Sequence, residues 1–261
     1  MTVVEFFNDG DAYERFMGRW SRASGEIFLD WLALPKGLHW LDVGCGTGAF
    51  TELLYARCAP SKVEGVDPAE DQLAFARKRP GAAQAEFRQG DAQALPFADG
   101  QFDAAAMALV INFVPDPAKA VAEMARVLKP GGTAGAYIWD FHSGGFVQQP
   151  LRDAITATGA PLLPNPGPEK ATREALQGTF AAAGFQAVET RGIEIDVSYP
   201  DFETYWASQT GLPNPAVQSL RKMAEPDVAK LKAGLRDKLT GPGGRVTYPA
   251  RANAVKGRKP G

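Results

Sequence analysis

This sequence contains few of the residues that build disulfide frameworks or metal centres. Its 261 residues include two cysteines, Cys45 and Cys58, and two histidines. Such a low cysteine count argues against a disulfide-stabilised secreted domain, and we expect no metal site. No apolar stretch approaches the length of a membrane-spanning helix, and the first residues lack the pattern of a signal peptide. We therefore expect a soluble, cytoplasmic protein without membrane insertion.

The sequence also lacks an excess of charge of either sign. Its 28 lysines and arginines nearly balance 30 acidic residues, which leaves a formal net charge of -2. Proteins that bind nucleic acids usually carry a basic surface, so this balance argues against a nucleic-acid partner. The hydrophobic content of 45% is ordinary for a globular protein. The length allows one domain with a modest insertion.

The most informative segment is residues 39–58, where an apolar strand leads through a glycine-rich turn into a helix. Asp42 ends the strand pattern, and Gly44, Gly46 and Gly48 follow at alternate positions. Glycine lets the backbone turn sharply and approach a ligand closely, as in the nucleotide-binding crevice of open α/β sheets. The segment therefore predicts a nucleotide-like ligand at this turn.

Strand and helix patterns alternate from residue 39 to about residue 139. This alternation predicts a parallel sheet with right-handed crossovers, whose ligands bind at the carboxyl ends of the strands. After residue 140 the pattern changes to a proline- and glycine-rich stretch, then to further helical and strand patterns. The acids predicted at the carboxyl ends of the strands are Asp42, Asp67, Asp91 and Asp140.

Six short motifs follow one another between residues 41 and 132. They are LDVGCGTG at 41–48, GVD at 65–67, GDA at 90–92, LPF at 95–97, FD at 102–103 and RVLKPGG at 126–132. In this order they resemble the class I S-adenosylmethionine-dependent methyltransferases, in particular the type 11 group of ubiquinone/menaquinone-methyltransferase-like enzymes. A single glycine turn would be weak evidence, whereas the ordered combination is specific.

The resemblance implies a Rossmann-like, doubly wound α/β fold. Its seven-stranded sheet has an antiparallel last strand, and a partly helical cap covers one end. We expect this organisation: an N-terminal helical lid at 1–35, an S-adenosylmethionine-binding core at 36–140, substrate-cap insertions at 141–170 and 200–240, and C-terminal strands and helix that complete the core at 171–199 and 241–261.

The resemblance also implies S-adenosylmethionine as the cofactor. Asp67 would accept hydrogen bonds from both ribose hydroxyls and Asp91 one from the adenine amino group, while Leu109 would form an apolar wall. In the lid, Arg19 or Arg22 is predicted to bind the methionine carboxylate. The predicted cofactor-binding residues are Tyr13, Arg19, Asp42, Gly44, Cys45, Gly46, Gly48, Asp67, Pro68, Gly90, Asp91, Ala92 and Leu109.

The methyl acceptor is predicted only as a small, partly apolar molecule. Its binding is assigned to the aromatic residues Phe113, Trp139 and Trp206. No catalytic base is assigned, and the candidates for this role are His142, Asp140 and Asn112. Correct positioning of the reactants lowers the barrier to an in-line displacement by about 7–11 kcal/mol, whereas a base raises the rate only about 10²–10⁴-fold. A missing base motif therefore does not argue against methyl transfer.

Two other functions fit part of the same pattern. The turn at 44–49 followed by Asp67 also satisfies the dinucleotide pattern of an NAD(P)-dependent oxidoreductase. Asp91 and the turn at 129–132 favour the methyltransferase. A non-catalytic S-adenosylmethionine-binding protein would carry the same motifs as an active enzyme. The oligomeric state is not predicted.

Overall fold

The computed structural model describes residues 18–165, 167–211 and 214–261. Its centre is a seven-stranded sheet. The strands are β1 His39–Val43, β2 Lys62–Asp67, β3 Glu86–Gln89, β4 Phe102–Ala108, β5 Leu128–Trp139, β6 Gln186–Tyr199 and β7 Val246–Arg258.

Helices connect these strands. Within the described residues the α-helices are α1 Arg19–Leu32, α2 Ala49–Cys58, α3 Glu70–Ala76, α4 Pro117–Val127, α5 Gln149–Ala157, α6 Arg173–Ala182, α7 Phe202–Thr210, α8 Pro215–Leu220 and α9 Glu225–Leu239.

The strand order in the sheet is β3-β2-β1-β4-β5-β7-β6. Strands β1 to β5 pair in parallel, whereas β7 runs antiparallel to both β5 and β6. The order changes direction at β1, whose neighbours are β2 and β4, and ligands of open α/β sheets bind outside such a point. The predicted doubly wound sheet with an antiparallel last strand is confirmed.

Strand β4 shows why the sheet is buried on both faces. Its residues Ala104 and Ala106 belong to one hydrophobic cluster, and Ala105 and Met107 belong to a second cluster. Because alternate side chains of a strand point to opposite faces, the two clusters lie on opposite sides of the sheet. The small alanine side chains let helices pack closely, as is typical of a central parallel strand.

Strands β6 and β7 extend beyond the end of β5. The last pair between β5 and β7 joins Trp139 to Ala252, whereas β6 and β7 continue to pair as far as Tyr199 and Val246. Helices of the second half of the chain pack around this part of the sheet. The first 17 residues, which include Tyr13 and much of the predicted lid, lie outside the described residues. The division into lid, core and cap therefore stays a prediction.

Candidate functional site

A cavity of about 550 Å³ opens at the carboxyl ends of β1, β2 and β4. The turn at 44–49, Asp67, Leu109 and the first residues of α1 line it. Sites for small ligands typically enclose about 300–1,000 Å³, so the volume is suitable for a nucleotide-sized cofactor with a small second molecule. The cavity lies where the sheet topology predicts a ligand.

The glycine turn has the backbone that its sequence predicts. Gly44, Gly46 and Gly48 have φ angles of +74°, +51° and +78°, a region that residues with a Cβ rarely adopt. A Cβ on Gly44 would lie 2.5 Å from Val110 Cγ1, whereas one on Gly46 would meet nothing closer than 3.7 Å. Gly44 is thus required for packing, and Gly46 leaves the backbone open towards the cavity.

Asp67 ends β2 and points at the glycine turn. Its Oδ2 accepts a hydrogen bond from the Gly46 N–H at 3.0 Å, and its Oδ1 accepts one from the Ala69 N–H at 2.9 Å. Burial raises the pKa of this carboxyl group, and the two N–H donors oppose that shift. Each oxygen keeps lone-pair capacity for a further donor. Asp67 is therefore suitable for binding a ligand with two adjacent hydroxyl groups.

Asp42 lies behind the turn rather than in the cavity lining. It is fully buried, and its Oδ2 accepts a hydrogen bond from Thr51 Oγ1 at 2.7 Å. Burial, with a smaller contribution from the charge of Asp67, raises the pKa of Asp42 to about 7. This carboxyl group connects the turn to helix α2, and its contact with a ligand stays a prediction.

Cys45 lines the cavity but has no activated thiol. It is 6% exposed, and burial raises its pKa well above the usual value. Reactive cysteines need a stabilised thiolate, so this protonated thiol functions in packing.

Leu109 lines the cavity with a φ of +62°. Its N–H donates a hydrogen bond to the Tyr137 carbonyl at 2.8 Å, which helps to hold this conformation. A left-handed backbone costs about 1–2 kcal/mol for a residue with a side chain, and such strain is concentrated at functional sites. Leu109 therefore lines the cavity from a strained backbone, and its role as an apolar wall for the cofactor stays a prediction.

The predicted adenine-binding residues lie just beyond the cavity lining. Pro68 belongs to the lining, whereas Gly90, Asp91 and Ala92 do not. Asp91 is exposed and accepts hydrogen bonds from the backbone and side chain of Gln93, which lower its pKa. The Asp91 carboxylate is thus ionised, and its contact with adenine stays a prediction.

None of the three catalytic candidates belongs to the cavity lining. His142 is exposed, whereas Asn112 and Asp140 are buried. Asp140 instead accepts hydrogen bonds from Arg251 at 2.6 and 2.9 Å and from the Ser143 N–H at 2.9 Å. These contacts hold the loop after β5 against β7.

We expect Asp140→Ala to destabilise the protein without changing cofactor affinity. The change removes a partly buried ion pair and a loop hydrogen bond, which together contribute about 2 kcal/mol to the free energy of unfolding. Urea unfolding measures this loss, with the exposed Asp153→Ala as the control. Normal stability with abolished methyl transfer would instead indicate a catalytic carboxylate.

Of the predicted acceptor-binding aromatics, the structure brings only Phe113 to the cavity. Trp139 is 2% exposed and belongs to the hydrophobic core. Trp206 lines a separate surface groove with Met223 and Lys232. The acceptor roles of these two tryptophans therefore have no support from their positions.

Sequence reasoning missed several residues that the structure places at the cavity. Arg79 donates hydrogen bonds to the Thr47 carbonyl at 3.0 Å and to Glu52 Oε2 at 2.6 Å, which ties the turn to helix α2. Gln72 and Tyr137 also belong to the lining. Alternate residues of a strand lie on one face, so Tyr137 and Trp139 lie on the same face of β5. This alternation is the only feature of the sequence that could have indicated Tyr137 as a site residue.

No metal cluster or membrane helix accompanies this site within the described ranges. No three histidine, cysteine, aspartate or glutamate side chains there are arranged to hold a metal ion. None of the described helices is both long and apolar enough to cross a membrane.

Comparisons with known proteins identify the domain around the turn. The family model Methyltransf_11, described as a methyltransferase domain, matches residues 41–135. The chain is 42% identical over 118 residues to the 2-phytyl-1,4-naphtoquinone methyltransferase of Thermosynechococcus vestitus, covering 44% of this chain and 52% of that protein. It is 35% identical over 120 residues to the malonyl-[acyl-carrier protein] O-methyltransferase of Pectobacterium atrosepticum, covering 46% of each. The chain thus spans about half the length of the curated relatives that it matches.

A solved structure extends the likeness over nearly the whole chain. Phosphoethanolamine N-methyltransferase 2 of Haemonchus contortus, in complex with phosphomonomethylethanolamine and S-adenosylhomocysteine, superimposes with a TM-score of 0.58 at 20% identity. The match covers 96% of this chain and 56% of that one. At this identity the likeness shows the fold alone.

The family resemblance is confirmed, and S-adenosylmethionine is the cofactor of this type of domain. Residues 41–135 of the chain therefore match the Methyltransf_11 methyltransferase domain, and the sheet that contains them has the fold of class I S-adenosylmethionine-dependent methyltransferases.

Proposed function

We propose that this protein transfers the methyl group of S-adenosylmethionine to a small, quinone-like acceptor. The observation that carries the proposal is the position of Asp67 in the cavity lining, where its Oδ2 accepts a hydrogen bond from the Gly46 N–H of the glycine turn and its Oδ1 accepts one from the Ala69 N–H. An ionised carboxylate there can accept both hydroxyl groups of a ribose. The open backbone at Gly46 leaves room for the rest of the cofactor.

The residues present fit this cofactor. Asp67 would hold the ribose, and the turn at 44–48 would lie along the methionine portion. Arg19, at the beginning of α1, lines the same cavity and would bind the methionine carboxylate. When bound, the cofactor supplies an electrophilic methyl group on a sulfonium. The chain's own contribution is to hold both reactants in line and to exclude water, which accounts for most of the rate in oriented pairs.

An apolar acceptor is supported by the remaining lining. Phe50, Leu53, Val110 and Phe113 face the cavity beside the cofactor-binding turn. The two curated relatives act on different acceptors according to their names, a 2-phytyl-1,4-naphtoquinone and a malonyl-[acyl-carrier protein]. The compact, partly aromatic lining fits the quinone-like class better than a protein-bound chain.

We expect Phe113→Ala to raise the KM for the acceptor by about 5- to 20-fold and to leave cofactor affinity within twofold. The change removes an apolar contact surface worth about 1–2 kcal/mol. Phe75→Ala is the matched control, because Phe75 is similarly exposed and lies outside the cavity. An unchanged KM, or an equal loss of cofactor binding, would contradict an acceptor role for Phe113.

The function itself is tested by transfer of a labelled methyl group. The protein is incubated with S-adenosylmethionine carrying a tritiated methyl group and a panel of reduced quinones, phenols and amines. The proposal predicts labelled product with the reduced quinones. Cofactor binding without labelled product from any acceptor would support the non-catalytic binding protein instead.

A further inference from the structure

Arg19 is held at the cavity by two aromatic rings. Its guanidinium carbon lies 4.0 Å from the ring centroid of Trp20 and 4.3 Å from that of Tyr199, both within the range of cation–π contacts. No carboxylate of the described residues lies within ion-pair distance of Arg19. Stacking uses the faces of a guanidinium and leaves its N–H edge for a planar anion.

Tyr199 is itself fixed by hydrogen bonds from two other elements. Its hydroxyl accepts hydrogen bonds from Trp20 Nε1 at 3.3 Å and from Gln209 Nε2 at 2.9 Å, and Ser208 Oγ lies 3.3 Å away. Tyr199 is 1% exposed and Gln209 is completely buried. This hydroxyl therefore joins the end of β6, helix α7 and helix α1 at one point, and the ring that stacks on Arg19 cannot turn freely.

Arg22 provides a comparison on the same helix. It also lines the cavity, but its Nε lies 3.3 Å from Glu26 Oε1 in an exposed i,i+4 ion pair. Exposed ion pairs of this kind contribute little to the stability of a protein and do not fix the orientation of the side chain. Of the two arginines, only Arg19 is oriented by buried groups.

We propose that Tyr199 is a positioning residue that acts through Arg19, which binds the carboxylate of the ligand in the cavity. Tyr199 does not line the cavity, so it exerts this effect only through the orientation of the guanidinium. The proposal rests on the proposed function, which places a methionine carboxylate in this cavity. It also predicts that Arg22 is not the carboxylate-binding residue.

Two ligands that differ in the amino-acid portion test the proposal by calorimetry. S-adenosylhomocysteine carries the carboxylate, and 5′-methylthioadenosine lacks the whole amino-acid portion. We expect Arg19→Gln to weaken S-adenosylhomocysteine binding by about 10- to 100-fold, as for loss of a charged hydrogen bond, and to leave 5′-methylthioadenosine binding within twofold. The matched control is Arg191→Gln, at an exposed arginine of β6 outside the cavity lining, which is expected to leave both affinities within twofold. Arg22→Gln is expected to weaken S-adenosylhomocysteine binding much less than Arg19→Gln does.

Tyr199→Phe keeps the ring and removes the hydroxyl, so we expect S-adenosylhomocysteine binding to weaken by about 3- to 10-fold and 5′-methylthioadenosine binding to stay the same. If that variant does not fold, Trp20→Phe removes one donor to the same hydroxyl and is expected to act in the same direction. Equal weakening of both ligands would indicate a general structural role and overturn the proposal, as would unchanged binding of both.

A double variant completes the test. If Tyr199 acts through Arg19, Arg19→Gln with Tyr199→Phe should bind S-adenosylhomocysteine no more weakly than Arg19→Gln alone. Additive losses would show that Tyr199 acts by another route and would overturn the proposal. Failure of the wild-type protein to bind S-adenosylhomocysteine would instead contradict the proposed function, so the two failures are distinguishable.

Discussion

Asp67→Ala is expected to weaken S-adenosylhomocysteine binding by about 100-fold. The change removes a carboxylate that would accept two ribose hydroxyls, and charge-assisted hydrogen bonds contribute about 1.5–3 kcal/mol each. It also removes the acceptor of the Gly46 N–H, which loosens the turn that faces the ligand. Isothermal titration calorimetry of the wild type and the variant measures the loss.

The matched control for this change is Asp71→Ala. Asp71 is an exposed acid on the neighbouring helix α3, outside the cavity lining, so its removal changes the net charge equally. We expect an affinity within twofold of the wild type. Unchanged affinity in Asp67→Ala, with a normal urea unfolding midpoint, would refute the ribose role of Asp67.

Asp42→Asn is expected to stabilise the ligand-free protein at pH 8 and to have little effect near pH 4. The folded-state pKa of Asp42 is raised to about 7, so the folded protein binds a proton more tightly than the unfolded chain. The stabilisation from this group is complete below its unfolded pKa and disappears as the pH rises through about 7. Asparagine has no charge to bury, so the variant avoids a loss of up to about 4 kcal/mol.

Urea unfolding of both proteins between pH 4 and pH 8 measures this difference. Asp103→Asn is a control for which we expect the opposite change of stability with pH, because the ion pair with Lys129 helps to lower the pKa of Asp103. That variant is expected to lose stability at neutral pH and to approach the wild type in acid. A stability difference for Asp42→Asn that does not change with pH would contradict the buried, neutral carboxyl group.

The glycine turn and the acid after β2 were predictable because their signals are local. Three alternate glycines between an apolar strand and a helix leave few backbone geometries, and parallel strands fix which edge of the sheet binds a ligand. The positions of Gly44, Gly46 and Asp67 at the cavity follow from these constraints. Leu109 also belongs to the cavity lining, although its positive φ had no sequence signal.

The side-chain partners of the site were not predictable, because they come from distant parts of the chain. Arg79 reaches the turn from a loop after α3, at a distance of 32 residues from Thr47. Tyr199 meets Trp20 across 179 residues. No motif or periodicity in one segment specifies such contacts, which depend on how the elements pack.

Some residues were predicted for the site only because they lie at or after the end of a strand. Such a position does not specify whether the side chain points into the cavity or into the core. Asp140 follows β5 but pairs with Arg251 to hold a loop. Trp139 ends the same strand and is covered by the core. A position near the carboxyl edge of the sheet therefore identifies candidates, and the packing of the surrounding helices and loops decides which of them reach the cavity.

We expect the cavity to bind S-adenosylmethionine rather than a nicotinamide dinucleotide. Calorimetric titration of the wild-type protein with S-adenosylhomocysteine and, separately, with NADH tests it directly. We predict saturable, one-to-one binding of S-adenosylhomocysteine and much weaker binding of NADH. Preferential binding of NADH would contradict S-adenosylmethionine as the ligand of this cavity.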